Sequence, residues 1–239
     1  MKLPKIDFSQ IILFENVSFL IVNKPPFLST LEDRQDPLNL LALARNYVPT
    51  AQVCHRLDKE TSGALTIAKS PEAYRHLSIQ FENRQVNKIY HAIVDGIHAF
   101  DKELVDIPIL KQPDGVVRLS KREGKPAQTY FSSIMSYRHH TLVECRPVTG
   151  RMHQIRVHIA SIQAPILGDL VYGGKPFYLS SIKRGFKVKK DTEEQPFMKR
   201  MALHAYSLEF LDLDGVPVKA TAPYQKDMQA LIRQLELNR

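Results

Sequence analysis

The chain is poor in the features that would assign it quickly to a membrane, secreted or metal-dependent class. It has two cysteines, Cys54 and Cys145, in 239 residues. Both stand in apolar, strand-like runs. They make no disulfide framework, so a reducing compartment, the cytoplasm, is the expectation. No apolar run reaches the ~18 residues that a spanning helix needs. Asp7, Ser9, Gln10, Glu15 and Asn16 interrupt what would be the apolar heart of a signal peptide, so no leader is expected. No basic amphipathic helix with an aromatic apolar face is present, which argues against a membrane surface as partner. No CxxC or HExxH string occurs. His153 and His158 miss the i, i+3 or i, i+4 spacing that sets two ligands on one helix face, so no metal is expected. There is no internal repeat and no clear linker.

What is present is ordinary in bulk and biased in charge. Hydrophobic residues make up 44% and charged residues 24%, the balance of a globular protein. The length suits one large domain or two small ones. The expectation is a single domain over 1–239, with a core from about 11 to 225. Lys and Arg number 33 against 25 acidic residues, a net charge of +8. That excess suits a polyanion, with RNA or DNA first among candidates.

The chain is organised around residues 55–63, HRLDKETSG. Apolar residues flank it, Val53 and Cys54 before and ALTIA (64–68) after, so it reads as a loop between two strands. Loops on a firm scaffold are where reactive groups concentrate. Within it Asp58 stands between Arg56 and Lys59. Neighbouring cations favour the ionised carboxylate. Such a carboxylate can act as nucleophile or base, and the cations can hold a phosphodiester. A solvated turn with a local ion pair would carry the same residues.

Taken in order, FLIV (19–22) reads as a buried strand stopped by Pro25 and Pro26. Lys24 beside that stop can reach a phosphate or simply be solvated. Asp36-Pro37 is expected to open a helix, with Pro49 ending it, and Ser70-Pro71 to open a second through Ala73, Leu77 and Phe81. IYHAIV (89–94) reads as a strand. Short strands at hairpin spacing follow through TLVEC (141–145), mostly antiparallel in expectation. Thr149 is the expected cap of a helix over about 151–162. Residues 180–196 read as an exposed, mobile basic insertion. A strand over 203–211, a hairpin through Asp214-Gly215 and an amphipathic helix over 228–237 close the chain.

Four strings in order then resemble the RluA-type pseudouridine synthases: NKP (23–25), HRLDKETSG (55–63), KIYHAIV (88–94), and RPVTGRMHQIRVHIA (146–160) with GDLVYGG (168–174) and LHA (203–205). GKPAQTYF (124–131) also fits. Together they run over roughly residues 11–225. The chain departs from the pattern after NKP. The family usually has a glycine and then a His-Pro pair there, and this chain has Pro26, Phe27, Leu28, Ser29 and Thr30. The small N-terminal RNA-binding module of many members is not expected either.

The resemblance implies an α+β fold: a long, mixed, mainly antiparallel sheet with flanking helices and a central cleft. It implies an isomerase that converts uridine in ribosomal or transfer RNA to pseudouridine, without cofactor or metal, after flipping the base from its stack. Asp58 matches the catalytic aspartate, and Arg151 the arginine that pairs with it. Tyr90 matches the active-site tyrosine, which can stack on the turned base. Leu203 is similar to the apolar wall of the base pocket, and Arg56 to the arginine that fills the space the base leaves. A core tyrosine or leucine would look the same at 90 and 203. Lys24, Arg156 and the basic insertion are expected to hold phosphates of a structured RNA. A monomer is the expected state. A metal hydrolase lacks its ligands, and a glycoside hydrolase lacks a second carboxylate set in a string. The remaining rival is a non-catalytic RNA-binding protein, an RNA chaperone, on the same fold.

Overall fold

A computed structural model describes residues 6–32, 38–188 and 192–239. The chain folds as two compact units. The first joins residues 1–89 to 204–223, and the second joins 90–203 to 224–239.

The first unit begins with a short 3-10 turn, Phe8–Ile11, capped by the Asp7 carboxylate. Strands β1 (Ile12–Glu15), β2 (Phe19–Lys24), β3 (Gln52–Val53) and β4 (Ser62–Ala68) follow, with helix α1 (Leu40–Tyr47) between β2 and β3. β2 and β4 are buried along their whole lengths, consistent with apolar runs covered on both faces. β1, β2, β3 and β4 pair antiparallel. Helix α2 (Pro71–Glu82) starts as the sequence predicts: Ser70 accepts from the Ala73 N–H and Pro71 occupies the first turn. It buries Ala73 and Leu77 against Phe19, Ile21 and Phe210.

The second unit is built on β5 (Asn87–Asp95), whose first three residues belong to the first unit. Strands β6 (Glu103–Asp106), β7 (Ile109–Lys111), β8 (Val117–Leu119), β9 (Gln128–Ser136) and β10 (His140–Pro147) follow. β5, β10, β9 and β6 lie side by side, all antiparallel, and β7 and β8 form a separate hairpin. Helix α3 (Gln154–Ser161) is almost entirely buried. β11 (Leu203–Leu211) and β12 (Pro217–Thr221) return to the first unit, where β11 pairs parallel with β4 and antiparallel with β12. Helix α4 (Lys226–Leu237) seals the second unit's core through Met228, Leu231 and Leu235. The fold is α+β, with mixed, mainly antiparallel strands and, among the described residues, four α-helices.

Two helix starts differ from the sequence reading. Asp36 and Pro37 lie outside the described residues, and α1 is capped by Asn39, whose side chain accepts from the Ala42 N–H at 2.9 Å. α3 starts at Gln154, not Arg151, because His153 has φ 51° and cannot continue a right-handed turn. Thr149 therefore does not cap the helix. Its hydroxyl donates instead to Gln154 Oε1 at 2.7 Å.

Candidate active site

Asp58 lies on the loop that joins β3 to β4, as the sequence implies. This loop is tied down at successive peptide groups. The Leu57 N–H donates to Thr30 Oγ1 at 3.2 Å, and the same hydroxyl donates to the Leu57 carbonyl at 2.9 Å. The Asp58 carbonyl accepts from the Thr61 N–H at 3.1 Å. The Lys59 carbonyl accepts from the Phe27 N–H at 2.8 Å and from Lys24 Nζ at 3.2 Å. Every peptide group from 56–57 to 59–60 is thus held, so the Cα–Cβ direction of Asp58 is set although its residue belongs to no strand. Side chains alternate along this stretch. Leu57 is buried, Arg56 on one side is exposed and Asp58 on the other is partly exposed. Arg56 and Asp58 are thus both more exposed than the Leu57 between them.

Both ends of the loop are fixed as well. At its start, His55 Nε2 accepts the Thr66 N–H at 3.0 Å, and its ring packs on Phe81 at 4.7 Å between centroids. Accepting at Nε2 puts the proton of the neutral ring on Nδ1. Desolvation, with a smaller push from the Lys88 charge, takes this imidazole down to about 3, so it is neutral wherever the protein works. Lys88 itself is brought to about 8 by burial. At the loop's end, Ser62 and Gly63 pair with His204 and Ala205 across the parallel β4–β11 contact. Ser62 Oγ donates to His204 Nδ1 at 2.9 Å, and His204 Nε2 donates to the Ala222 carbonyl at 3.1 Å. Gly63 has φ 114°, and a Cβ there would collide with the Ala205 carbonyl.

Lys24 has a different place from the one expected. It is fully buried, and its ammonium donates to the carbonyls of Pro25, Leu28 and Lys59 at 3.1, 2.8 and 3.2 Å. Burial takes it out of reach of a phosphate and makes it a brace for the Asp58 loop. Phe27, two residues after NKP, holds φ 65°. A bulky residue thus holds a left-handed backbone that it rarely adopts.

In the second unit, Tyr90 opens the unit's share of β5, opposite Cys145, and packs on the unit's core. Arg151 is exposed and lies in the turn before α3. Its N–H donates to Gln154 Oε1 at 3.0 Å and its Nε to the Pro126 carbonyl at 3.2 Å. Buried Gln154 holds this turn: its amide also donates to the Gln128 carbonyl at 2.8 Å and to Thr129 Oγ1 at 3.0 Å. Leu203 is buried, and its carbonyl accepts from Arg200 Nη1 at 3.2 Å. Arg200 is in turn forked onto Asp227 at 2.7 and 2.9 Å. Burial raises Asp227, but the Arg200 hydrogen bonds and charge outweigh it and leave the carboxyl below its usual range.

Arg156 is also a correction. It is buried and forked onto buried Asp169 at 2.6 and 2.8 Å, with its guanidinium 4.9 Å from the Tyr172 ring centroid. It fastens the 168–174 loop to α3. The basic insertion is anchored by Ile182 in the core and by Phe177 against Phe197 at 6.0 Å, and it exposes Lys183, Arg184 and Lys187. Lys189, Lys190 and Asp191 lie outside the described residues. The sequence reading missed Thr30, Gln154 and Arg200. Only Gln154, inside RPVTGRMHQIRVHIA (146–160), stood in a string that could have pointed to it. Among the described residues, no group of three His, Cys, Asp or Glu is placed to hold a metal, and no helix is long and apolar enough to cross a membrane.

This fold, with the Asp58 loop held on both flanks, is that of the pseudouridine synthases. The solved structure of human RNA pseudouridylate synthase domain containing 4 matches with a TM-score of 0.72 at 24% identity, over 96% of this chain and 94% of that one. A family model described as RNA pseudouridylate synthase matches residues 18–161. The ribosomal large subunit pseudouridine synthase D of Xanthomonas campestris is 36% identical over 233 residues, covering 94% of this chain and 69% of that protein. The Escherichia coli K12 protein of the same name is 34% identical over 232 residues, covering 92% and 69%. The chain belongs to the RNA pseudouridylate synthase family, in its RluA-type branch. It is an isomerase that acts on RNA.

Proposed function

We propose that this isomerase makes pseudouridine in large-subunit ribosomal RNA, and that Asp58 is its catalytic residue. The reaction breaks the bond from ribose C1′ to uracil N1 and makes one from C1′ to C5. A proton leaves C5 and one is gained at N1, so nothing is oxidised or consumed. The protein has to supply one carboxylate, a flipped-out nucleotide and a closed space in which the freed uracil can turn. Asp58 supplies the carboxylate, as nucleophile or base. Arg151 keeps it charged and aimed, Tyr90 stacks on the turning base, Leu203 walls it in, and Arg56 fills the gap left in the RNA stack.

The observation that carries this reading is the set of hydrogen bonds fixing the backbone on both sides of Asp58. A solvated turn has no need of it. The choice of RNA follows the relatives, which are named for the ribosomal large subunit. The enzyme works as a monomer in the cytoplasm. Its thiols are inert there, since burial pushes Cys54 up to about 12 and Cys145 higher still.

The test is to map pseudouridine in ribosomal and transfer RNA from cells carrying the gene, lacking it, or carrying Asp58→Ala. The expected result is one or more large-subunit sites present only with the intact gene, with RNA binding by the variant kept. Sites confined to transfer RNA would overturn the substrate. Full modification by Asp58→Ala would overturn the catalytic residue and favour the RNA-chaperone reading.

A further inference from the structure

We propose that Thr30 is a positioning residue for Asp58, acting through the Leu57 backbone. The inference rests on the catalytic reading of Asp58 and adds a residue to it. Thr30 is buried, and its single hydroxyl meets both polar groups of Leu57, accepting from the N–H at 3.2 Å and donating to the carbonyl at 2.9 Å. These groups belong to the peptide bond before Leu57 and to the bond joining Leu57 to Asp58. Fixing both fixes the two backbone torsions of Leu57, and with them the plane from which Asp58 departs.

The main chain of this stretch does a separate job. The Ser29 and Thr30 carbonyls accept from the Leu40 and Leu41 N–H groups at 2.9 and 3.2 Å, which ties down the first turn of α1. The backbone at Thr30 thus serves the fold, while the hydroxyl serves the loop. A substitution that removes only the hydroxyl separates the two. Leu57 is itself buried, so water is poorly placed to replace the lost partner. The loop would then settle into another arrangement, and the carboxylate would move with it.

Thr30→Val keeps the shape and removes the hydroxyl; Thr30→Ser keeps the hydroxyl. Both are compared with the wild type on unmodified large-subunit ribosomal RNA, at a temperature where circular dichroism finds all three folded. Amide hydrogen exchange is followed across residues 55–61. Thr30→Val is expected to lower kcat by about tenfold to a hundredfold, the cost of misplacing a reacting group by an ångström or less. KM should stay within about threefold, and exchange at Leu57 should speed up. Thr30→Ser should restore kcat to within about threefold. A merely structural role would lower the melting temperature without this pattern. Wild-type kcat in Thr30→Val, or a loss that the serine does not recover, overturns the proposal. Asp58→Ala in the same assay separates the two readings. If it is inactive while Thr30→Val is normal, only the role of Thr30 falls. If it keeps the wild-type rate, both fall.

Discussion

The buried ammonium of Lys24 meets the carbonyl of Lys59, the residue after Asp58, across 35 positions of sequence. A lysine without exposure is costly unless its donors are used, and this one donates to three carbonyls. Lys24→Met keeps the volume and leaves those carbonyls without this donor. It should destabilise the protein by about 3 kcal/mol, the scale of charge-assisted hydrogen bonds lost inside a fold. Urea unfolding reads this as a lower midpoint at unchanged slope. A midpoint equal to the wild type would mean that the brace is dispensable.

If Arg151 acts by holding Asp58, the two must not behave as independent sites. Asp58→Asn should remove nearly all activity, and Arg151→Met should cost about a hundredfold or more in kcat/KM. The double variant should be no slower than Asp58→Asn alone, because the arginine has nothing left to hold. Single-turnover rates on one RNA measure the cycle. Costs that multiply would assign Arg151 to a separate task, such as RNA binding.

Gly63 sits where β4 meets β11, with φ 114° and the Ala205 carbonyl where a Cβ would go. Gly63→Ala meets both a backbone penalty and a collision with main chain that cannot step aside. The expected loss is more than about 4 kcal/mol, in the tail reserved for strained special positions. Thermal unfolding would register it as a large fall in melting temperature or as insoluble expression. A near-normal melting temperature would mean that the two strands can part.

His55 predicts a pH signature. Its folded value, about 3, lies below the ordinary histidine value of 6.5. Above pH ~6.5 the ring is neutral in both states and its contribution is complete. As pH falls from there toward 3, only the unfolded chain takes up the proton, so stability declines by about 1 kcal/mol per pH unit. His55→Gln keeps an acceptor for Thr66 and should flatten this part of the profile. Urea midpoints between pH 7 and 4 make the comparison, and parallel profiles for the two proteins would remove the assignment.

How much of this is legible in the sequence depends on whether the cause is local. The Ser70-Pro71 helix start, the strand pattern and the HRLDKETSG loop follow from neighbouring residues and take the form expected of them. Lys24 and Arg156 do not. A cation in a string says nothing of whether it ends in water, against carbonyls or on a carboxylate such as Asp169, and only the fold decides. The start of α3 escapes for a similar reason. Thr149 is a good cap in isolation, but Gln154 and the left-handed His153 form a tighter turn. Thr30 carries no signal at all, because its partner, Leu57, is a backbone rather than a side chain.

The parallel contact between β4 and β11 also sets an order in time. A ribosome delivers the Asp58 loop before the strand that seats Ser62 and Gly63, which follows only after the whole of residues 90–203, and these fold into the other unit. The nascent chain therefore carries HRLDKETSG long before the geometry around it can close, and such long-range closure is expected among the slow steps of assembly. Truncated products ending ahead of residue 204 would keep HRLDKETSG whole, lack His204 and Ala205, and are expected to be inert. Competence to react thus waits on a partner made 142 residues after Ser62.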